Sequence, residues 1–226
     1  MSHRRWAVFA VAALVVGSSV GAPGESSGAS ARTCMGHTAT RVGTAGNDVI
    51  NGTPGPDVIV GLAGDDTIRG RGGKDIICGD RGADRLLGGR RADRVSGGMG
   101  ADHEVGGKGP DVLRGGADND WMAGKRGPDK ISGGTGADTL KGGRKRDRLS
   151  GGPDDDRLVG GRGGDRQFGS LGSDTILAGT GTDHLLGGDG DDSLDAADGV
   201  GDDSLRGSTG TDTCAADPGD AVFDCP

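Results

Sequence analysis

The chain has 226 residues, of which 51 are Gly and none is Tyr; aromatic residues make up 2%, hydrophobic residues 31%, and the formal net charge is -8. So few bulky side chains exclude the large close-packed core of an ordinary globular enzyme. A chain of this profile stays unfolded unless its apolar residues are placed periodically or a ligand supplies the missing free energy.

The first element is a targeting signal. His3, Arg4 and Arg5 precede an apolar run at 6–17 that is too short to span a bilayer. Residues 1–31 are therefore read as a secretory signal peptide and short spacer. Cleavage is expected between 22 and 31, after Val20-Gly21-Ala22 or after Ala29-Ser30-Ala31. Its removal leaves 24 basic and 33 acidic residues, a net charge of -9. No later segment is apolar enough to cross a membrane, so the expected location is secreted and extracellular. Four Cys in an exported chain point to two disulfides, for which three connectivities exist. Cys34 precedes the repetitive region and Cys78 lies within it, while Cys214 and Cys225 sit close together near the C-terminus. The favoured pairing is 34 with 78 and 214 with 225. Each bond would clamp one end, at about 3 to 4 kcal/mol by loop entropy.

After a cap segment at 32–42, the chain from Gly43 divides into blocks of nine: GTAGNDVIN, GTPGPDVIV, GLAGDDTIR, GRGGKDIIC and onward. Seventeen such blocks run without a slip to Asp195; an eighteenth, 196–206, carries two extra residues, and a nineteenth ends at 215. Residues 216–226 form a C-terminal cap. All 19 units place Asp at the sixth position, or its equivalent in the lengthened unit. Two positions after that Asp the residue is aliphatic or Met in 16 units, with Glu104, Gln167 and Cys214 as exceptions. One residue in nine therefore faces a core. The pattern predicts a three-residue strand joined to a six-residue Gly-rich turn, because Gly tolerates the positive φ of tight turns. The Gly density excludes helix. One such unit buries almost nothing, so stability has to come from stacking units into a ladder.

Charge reveals how the units stack. The first five positions of the even-numbered units that start at 52–178 hold eleven basic residues and no acidic one. The same positions of the odd-numbered units that start at 43–187 hold seven Asp and only Arg81 as a cation. The true period is therefore 18, with two strands and two turns per coil. All even turns then fall along one edge and all odd turns along the other. The expected fold is all-β, a flattened parallel β-roll or β-solenoid, right-handed by the usual chirality of parallel crossovers.

An Asp at one fixed place in stacked turns presents carboxylates and free backbone carbonyls at strand spacing, about 4.8 Å. Such all-oxygen ligands suit Ca²⁺ better than Mg²⁺ or a transition metal. The candidate ligands are Asp48, Asp57, Asp66, Asp75, Asp84, Asp93, Asp102, Asp111, Asp120, Asp129, Asp138, Asp147, Asp156, Asp165, Asp174, Asp183, Asp192, Asp203 and Asp212. A turn-forming role explains one Asp but not 19 at one position, where Asn or Ser would serve as well.

Units such as GGTGADTLK (133–141), GGKGPDVLR (106–114) and GGDGDDSLD (187–195) resemble the GGxGxDxUx nonapeptide of the RTX, or hemolysin-type, calcium-binding repeats. The resemblance covers 43–215. It implies a β-roll in which turn carbonyls and sixth-position Asp residues of neighbouring coils hold a column of Ca²⁺ along each edge. Arg91, Asp118, Lys145 and Asp154 depart from the pattern by replacing the fourth-position Gly, and GGRKRD (142–147) sets three cations before its Asp; these turns are expected to bind weakly. Asn47, Asp65, Asn119, Asp155 and Asp191, just before the ligand Asp, make the odd edge the stronger calcium side. The even edge reads as a cationic rail.

No catalytic constellation emerges. His103-Glu104 lacks a second His four residues on, no Gly-Lys pair sits in a phosphate-binding loop, and GxSxG occurs only at 17–21 and 24–28, in the leader region. The expectation is a structural or adhesive binding module that folds on calcium and is not an enzyme. The alternative is an accessory binder of an anionic polymer or cell surface through Arg90, Lys108, Arg126, Arg144 and Arg162. Trp121, Phe168 and Phe223 are too few for base stacking, which argues against nucleic acid.

Overall fold

The structure is a computed structural model that describes residues 32–225; the expected signal peptide at 1–31 lies outside the described residues. Successive nonapeptides contribute strands alternately to a ten-stranded and an eleven-stranded sheet, both parallel through the repeats. Partners within a sheet stand 18 residues apart, as in Leu86↔Glu104↔Met122 and Leu113↔Ile131. Past the lengthened unit the offset becomes 20, as in Leu185↔Leu205 and Leu194↔Cys214, so the two extra residues loop out at the even edge without breaking the register. This is the expected solenoid of two strands and two turns per coil.

The strands are longer than the sequence pattern predicts. They run six residues across the boundary between units, as in Thr67–Gly72 and Arg94–Met99, and leave turns of only three residues. The reason lies in the backbone: the Gly-rich first three positions carry the ladder onward, with Gly107 paired to Gly89 and Lys108 to Arg90. Positions seven and nine point outward and position eight inward, which is the alternation of a pleated strand.

The inward column of the ten-stranded sheet includes Ile68, Leu86, Met122, Leu140, Leu158 and Ile176; that of the eleven-stranded sheet includes Ile59, Ile77, Val95, Leu113, Ile131 and Leu149. They form one continuous two-row core. Each fully buried side chain contributes about 1.5 to 3 kcal/mol of transfer free energy. Glu104 and Gln167, two of the sequence exceptions, stand in these columns fully buried. Gln167 donates from Nε2 to the carbonyl of Leu177 across the core at 2.9 Å. Both carboxylate oxygens of Glu104 are without a hydrogen-bond partner, and burial raises its pKa well above the usual carboxylate range.

The glycines of the repeat serve two different ends. Positions two and four take positive φ through most of the roll, for example Gly98 at 126° and Gly100 at 111°. Arg91, Asp118, Lys145 and Asp154, which replace the fourth-position Gly, are held at 79°, 76°, 89° and 78°. A side chain in that region costs about 1 to 2 kcal/mol. The first-position Gly is required for space instead, because a Cβ on Gly61, Gly79 or Gly133 would overlap the carboxylate of the Asp five residues later.

The roll extends beyond the 43–215 read from the repeats. Arg41–Val42 joins one end of the eleven-stranded sheet and Ala221–Phe223 the other, so both cap segments donate backbone to otherwise unpaired strand edges. An antiparallel pair, Thr33–Cys34 with His37–Thr38, precedes the first of these. The disulfides join Cys34 to Cys78 and Cys214 to Cys225, the favoured pairing. Cys34 and Cys78 pack with Val60 in a small second cluster that pins the N-terminal cap to the sheet.

Two substitutions test this packing. Glu104→Leu is expected to raise the unfolding free energy of the calcium-loaded protein by about 1 to 3 kcal/mol, because it removes two unpartnered buried oxygens. Lys145→Gly is expected to raise it by about 1 kcal/mol through relief of the left-handed strain. Denaturant melts read both, and a loss of stability in either would contradict the assignment.

Candidate metal centre

Each sixth-position Asp ends its turn, three residues long through most of the roll, and there its side chain folds back over the first-position Gly of its own unit. Its position is set by the preceding coil. The backbone N–H of Asp66 donates to Oδ1 of Asp84 at 2.8 Å, that of Asp84 to Asp102 at 2.8 Å, and that of Asp102 to Asp120 at 2.8 Å. The even edge repeats the arrangement through Asp75, Asp93, Asp111 and Asp129 at 2.8 to 2.9 Å. Two columns of buried carboxylates therefore run the length of the roll, one behind each row of turns.

One oxygen of each carboxylate is thus occupied, and the other is not. Oδ2 is buried without a hydrogen-bond partner in 17 of the 19 Asp, from Asp66 to Asp212. A buried acceptor left unsatisfied costs about 1 to 3 kcal/mol, and more when charged. Two parallel files of such oxygens are a donor set that a hard divalent cation satisfies, so the residues fit calcium. Among the described residues no three His, Cys, Asp or Glu side chains gather into one cage. The donors available to an ion are accordingly single carboxylates, one per turn, supplemented by the backbone carbonyls of the Gly-rich loops.

Asp48 and Asp57 stand apart. Oδ2 of Asp48 accepts from the Thr44 amide at 2.6 Å and the Thr44 hydroxyl at 2.9 Å, and Asp57 is held the same way by Thr53 at 2.6 and 2.9 Å. Asp57 also lies 3.5 Å from the Arg41 guanidinium. The first coil closes its own turns with protein donors. The signal was present in the sequence, since Thr occupies position two only in these two units, but a reading centred on the Asp passed over it.

The residues that distinguish the edges also acquire specific contacts. On the odd edge, Asn47 accepts the amide of Asp65 at 2.8 Å, Asp65 that of Ala83 at 3.0 Å, Asn119 that of Ala137 at 2.9 Å and Asp155 that of Ser173 at 2.7 Å. Asp191 does the same for Thr211 at 2.8 Å. These side chains form an interrupted second row of hydrogen bonds outside the buried file, in which Asp65, Asp155 and Asp191 leave their negative charge beside it.

Burial is the chief reason that the metal-free carboxylates resist ionisation. It raises Asp93, Asp102, Asp111 and Asp120 to about 7 and Asp147 to about 8, with carboxylates one coil away adding to the effect and the amide hydrogen bond opposing it.

A deep calcium-repeat solenoid is the class that this geometry defines. The family model for the RTX calcium-binding nonapeptide repeat matches in overlapping and successive segments, 42–77, 51–86, 79–103, 105–131, 132–166, 168–200 and 196–222. The chain belongs to this family. No curated protein matches it.

The sign of the pH effect follows from these shifts. Folded carboxylates titrating near 6 to 8 against 3.8 in the unfolded chain stabilise the metal-free roll below about pH 4 and lose that contribution as pH rises through 6 to 8. In chelator, acidification from pH 8 to 5 is expected to raise the folded fraction read by circular dichroism. With saturating calcium the order reverses, because protons compete for the same oxygens. The same direction in both conditions would contradict the site.

Proposed function

We propose that the protein is a secreted structural or adhesive module whose roll folds as calcium is taken up by the stacked turns. The observation that carries this reading is the pair of files of unpartnered, buried Asp oxygens, which the thin core cannot offset. Bound calcium supplies the positive charge that these oxygens lack. The chain's own part is to present Oδ2 of Asp66 through Asp212 with the neighbouring turn carbonyls, to fix each carboxylate by its rung hydrogen bond, and to exclude water by stacking the coils. Without the ion, carboxylate repulsion and the backbone entropy of so many Gly residues favour the unfolded chain.

Export is supported by the basic-then-apolar N-terminus and by the two disulfides, which persist in oxidising compartments. Among the described residues no helix is long and apolar enough to cross a membrane. Extracellular calcium would then act as the folding trigger after export. A non-catalytic role fits a chain whose repeated acidic residues are committed to coil-to-coil contacts.

The odd edge is the stronger calcium side. Asn47, Asp65, Asn119, Asp155 and Asp191 place acceptors and charge beside its carboxylates, whereas Arg91, Lys145 and Arg146 crowd the even turns. A close charge pair changes ion affinity by about 1 to 4 kcal/mol, depending on effective dielectric. Calcium titration followed by circular dichroism tests the reading. The wild-type spectrum is expected to change from largely unordered in chelator to β-rich in calcium. Asp66→Ala with Asp138→Ala should raise the midpoint more than Asp93→Ala with Asp147→Ala. Identical spectra with and without calcium would refute the folding claim, and equal midpoint shifts would refute the asymmetry.

In equilibrium dialysis against calcium, Asp48→Asn and Asp57→Asn are expected to leave the bound-calcium count unchanged, and Asp84→Asn is expected to lower it. A loss of calcium in the first pair would show that the Thr-closed turns also bind.

A further inference from the structure

The even edge carries a surface that the calcium reading leaves unused. Arg90, Lys108, Arg126, Arg144 and Arg162 occupy the same repeat position on five successive rungs, each in register with the next. All five are exposed. The rungs of a parallel sheet lie about 4.8 Å apart, so this is an uninterrupted file of like charges at that spacing. On the far side of the same turns, Arg94, Lys130, Arg148 and Arg166 open the strands of the eleven-stranded sheet and are exposed as well. Lys130, Arg148 and Arg166 are again consecutive register partners.

These cations are not neutralised within the fold. The ion pairs among the described residues are Arg41 with Asp57 and Arg206 with Asp224, neither of them on either file. Shallow grooves separate the rungs. One is lined by Lys130, Arg146, Arg148 and Arg166, with the Asp129 and Asp147 carboxylates in its wall. The next is lined by Arg146, Arg166, Thr182 and His184. Like charges stacked at strand spacing destabilise a sheet, so two parallel files of them imply an external counter-charge with the same linear repeat.

We propose that this edge binds a linear anionic polysaccharide laid along the roll axis, with one anionic group facing each rung. Three observations favour that partner. Of the exposed large hydrophobic residues, Val49, Met99 and Leu171 lie toward the odd edge and Val200 sits in the lengthened even turn beyond the two files, so the files themselves carry nothing to insert into a lipid surface. Of the aromatics, Phe168 faces outward two residues from Arg166, and Trp121 opens the strand that ends in Arg126, stacked on His103 at 4.2 Å with Lys125 and Lys141 at 5.8 and 5.4 Å. Two isolated aromatics on different sheets give a sugar ring a place to stack but offer no succession of platforms for the bases of a nucleic acid. A second copy of the chain is a poor match, because the acids of the odd edge are interrupted along the axis while the cations run without a gap.

The test is retention of the calcium-loaded, full-length chain on immobilised dextran sulfate at fixed calcium, with uncharged dextran as control. Salt-dependent binding to the sulfated polymer alone is expected. Arg126→Gln/Arg144→Gln/Arg162→Gln should weaken it at least about tenfold. Arg69→Gln/Arg81→Gln/Arg157→Gln, which removes as many charges away from both files, should weaken it less than about twofold. Circular dichroism in calcium confirms that both variants are folded. Equal losses in the two variants would overturn the proposal. Tighter binding to duplex DNA or to anionic vesicles, or salt-sensitive self-association without polymer retention, would overturn it too.

Discussion

A buried aspartate with one oxygen satisfied and the other left over governs this molecule. Its Oδ1 receives the amide of the coil before it, and that bond fixes both the stacking distance and the position of the carboxylate. Its Oδ2 then points into the turn, where the fold places no donor. Repeated along two edges, the arrangement brings like charges one rung apart inside a protein whose core is only two side chains thick. The Gly residues follow from the same constraint. The first makes room for the carboxylate, and the second and fourth allow the chain to turn quickly enough to bring it there. A cation that joins these oxygens converts the most destabilising feature of the roll into its main source of cohesion.

The ends and the edges depart from the average repeat in ways that make physical sense. At the N-terminal end, Thr44 and Thr53 satisfy the oxygens that calcium would otherwise meet, and the Cys34–Cys78 disulfide fixes the cap over the first coils. That end has a structure of its own from which later coils can stack, a low-cost start for a fold in which each unit contacts mainly its neighbours. Along the roll, the odd edge gains a second file of Asx-to-amide bonds while the even edge accumulates unpaired cations. The two edges therefore differ in chemistry, although both are built on one nonapeptide pattern.

Much of this was legible in the sequence. The 18-residue period came from charge alone and matches the register of every parallel pair up to the lengthened unit. The inward column could be read from the aliphatic position two after each Asp, and Cys34 with Cys78 and Cys214 with Cys225 pair as their positions favoured. Strand length was misjudged because the pattern of side chains stops at the Gly residues, whereas backbone pairing continues through them, as at Gly89 and Gly107. The role of Asp65 and Asn119 as rung acceptors, and that of Thr44 and Thr53 as turn closers, depends on where a side-chain oxygen lies relative to an amide 18 or 4 residues away. Residue type narrows such a contact but does not choose it. Glu104 was visible as an exception, but its complete burial follows only from the unbroken ladder on either side of it.

The central claim concerns the state of the chain when the ion is withheld, and small-angle X-ray scattering addresses it most directly. In calcium the protein should scatter as a short rigid rod. In excess chelator at neutral pH its radius of gyration should rise toward the value of an unfolded chain of its length, about 45 to 50 Å. A rod of unchanged dimensions in chelator would contradict the account, since it would mean that the coils hold together without a counter-charge for their aspartates.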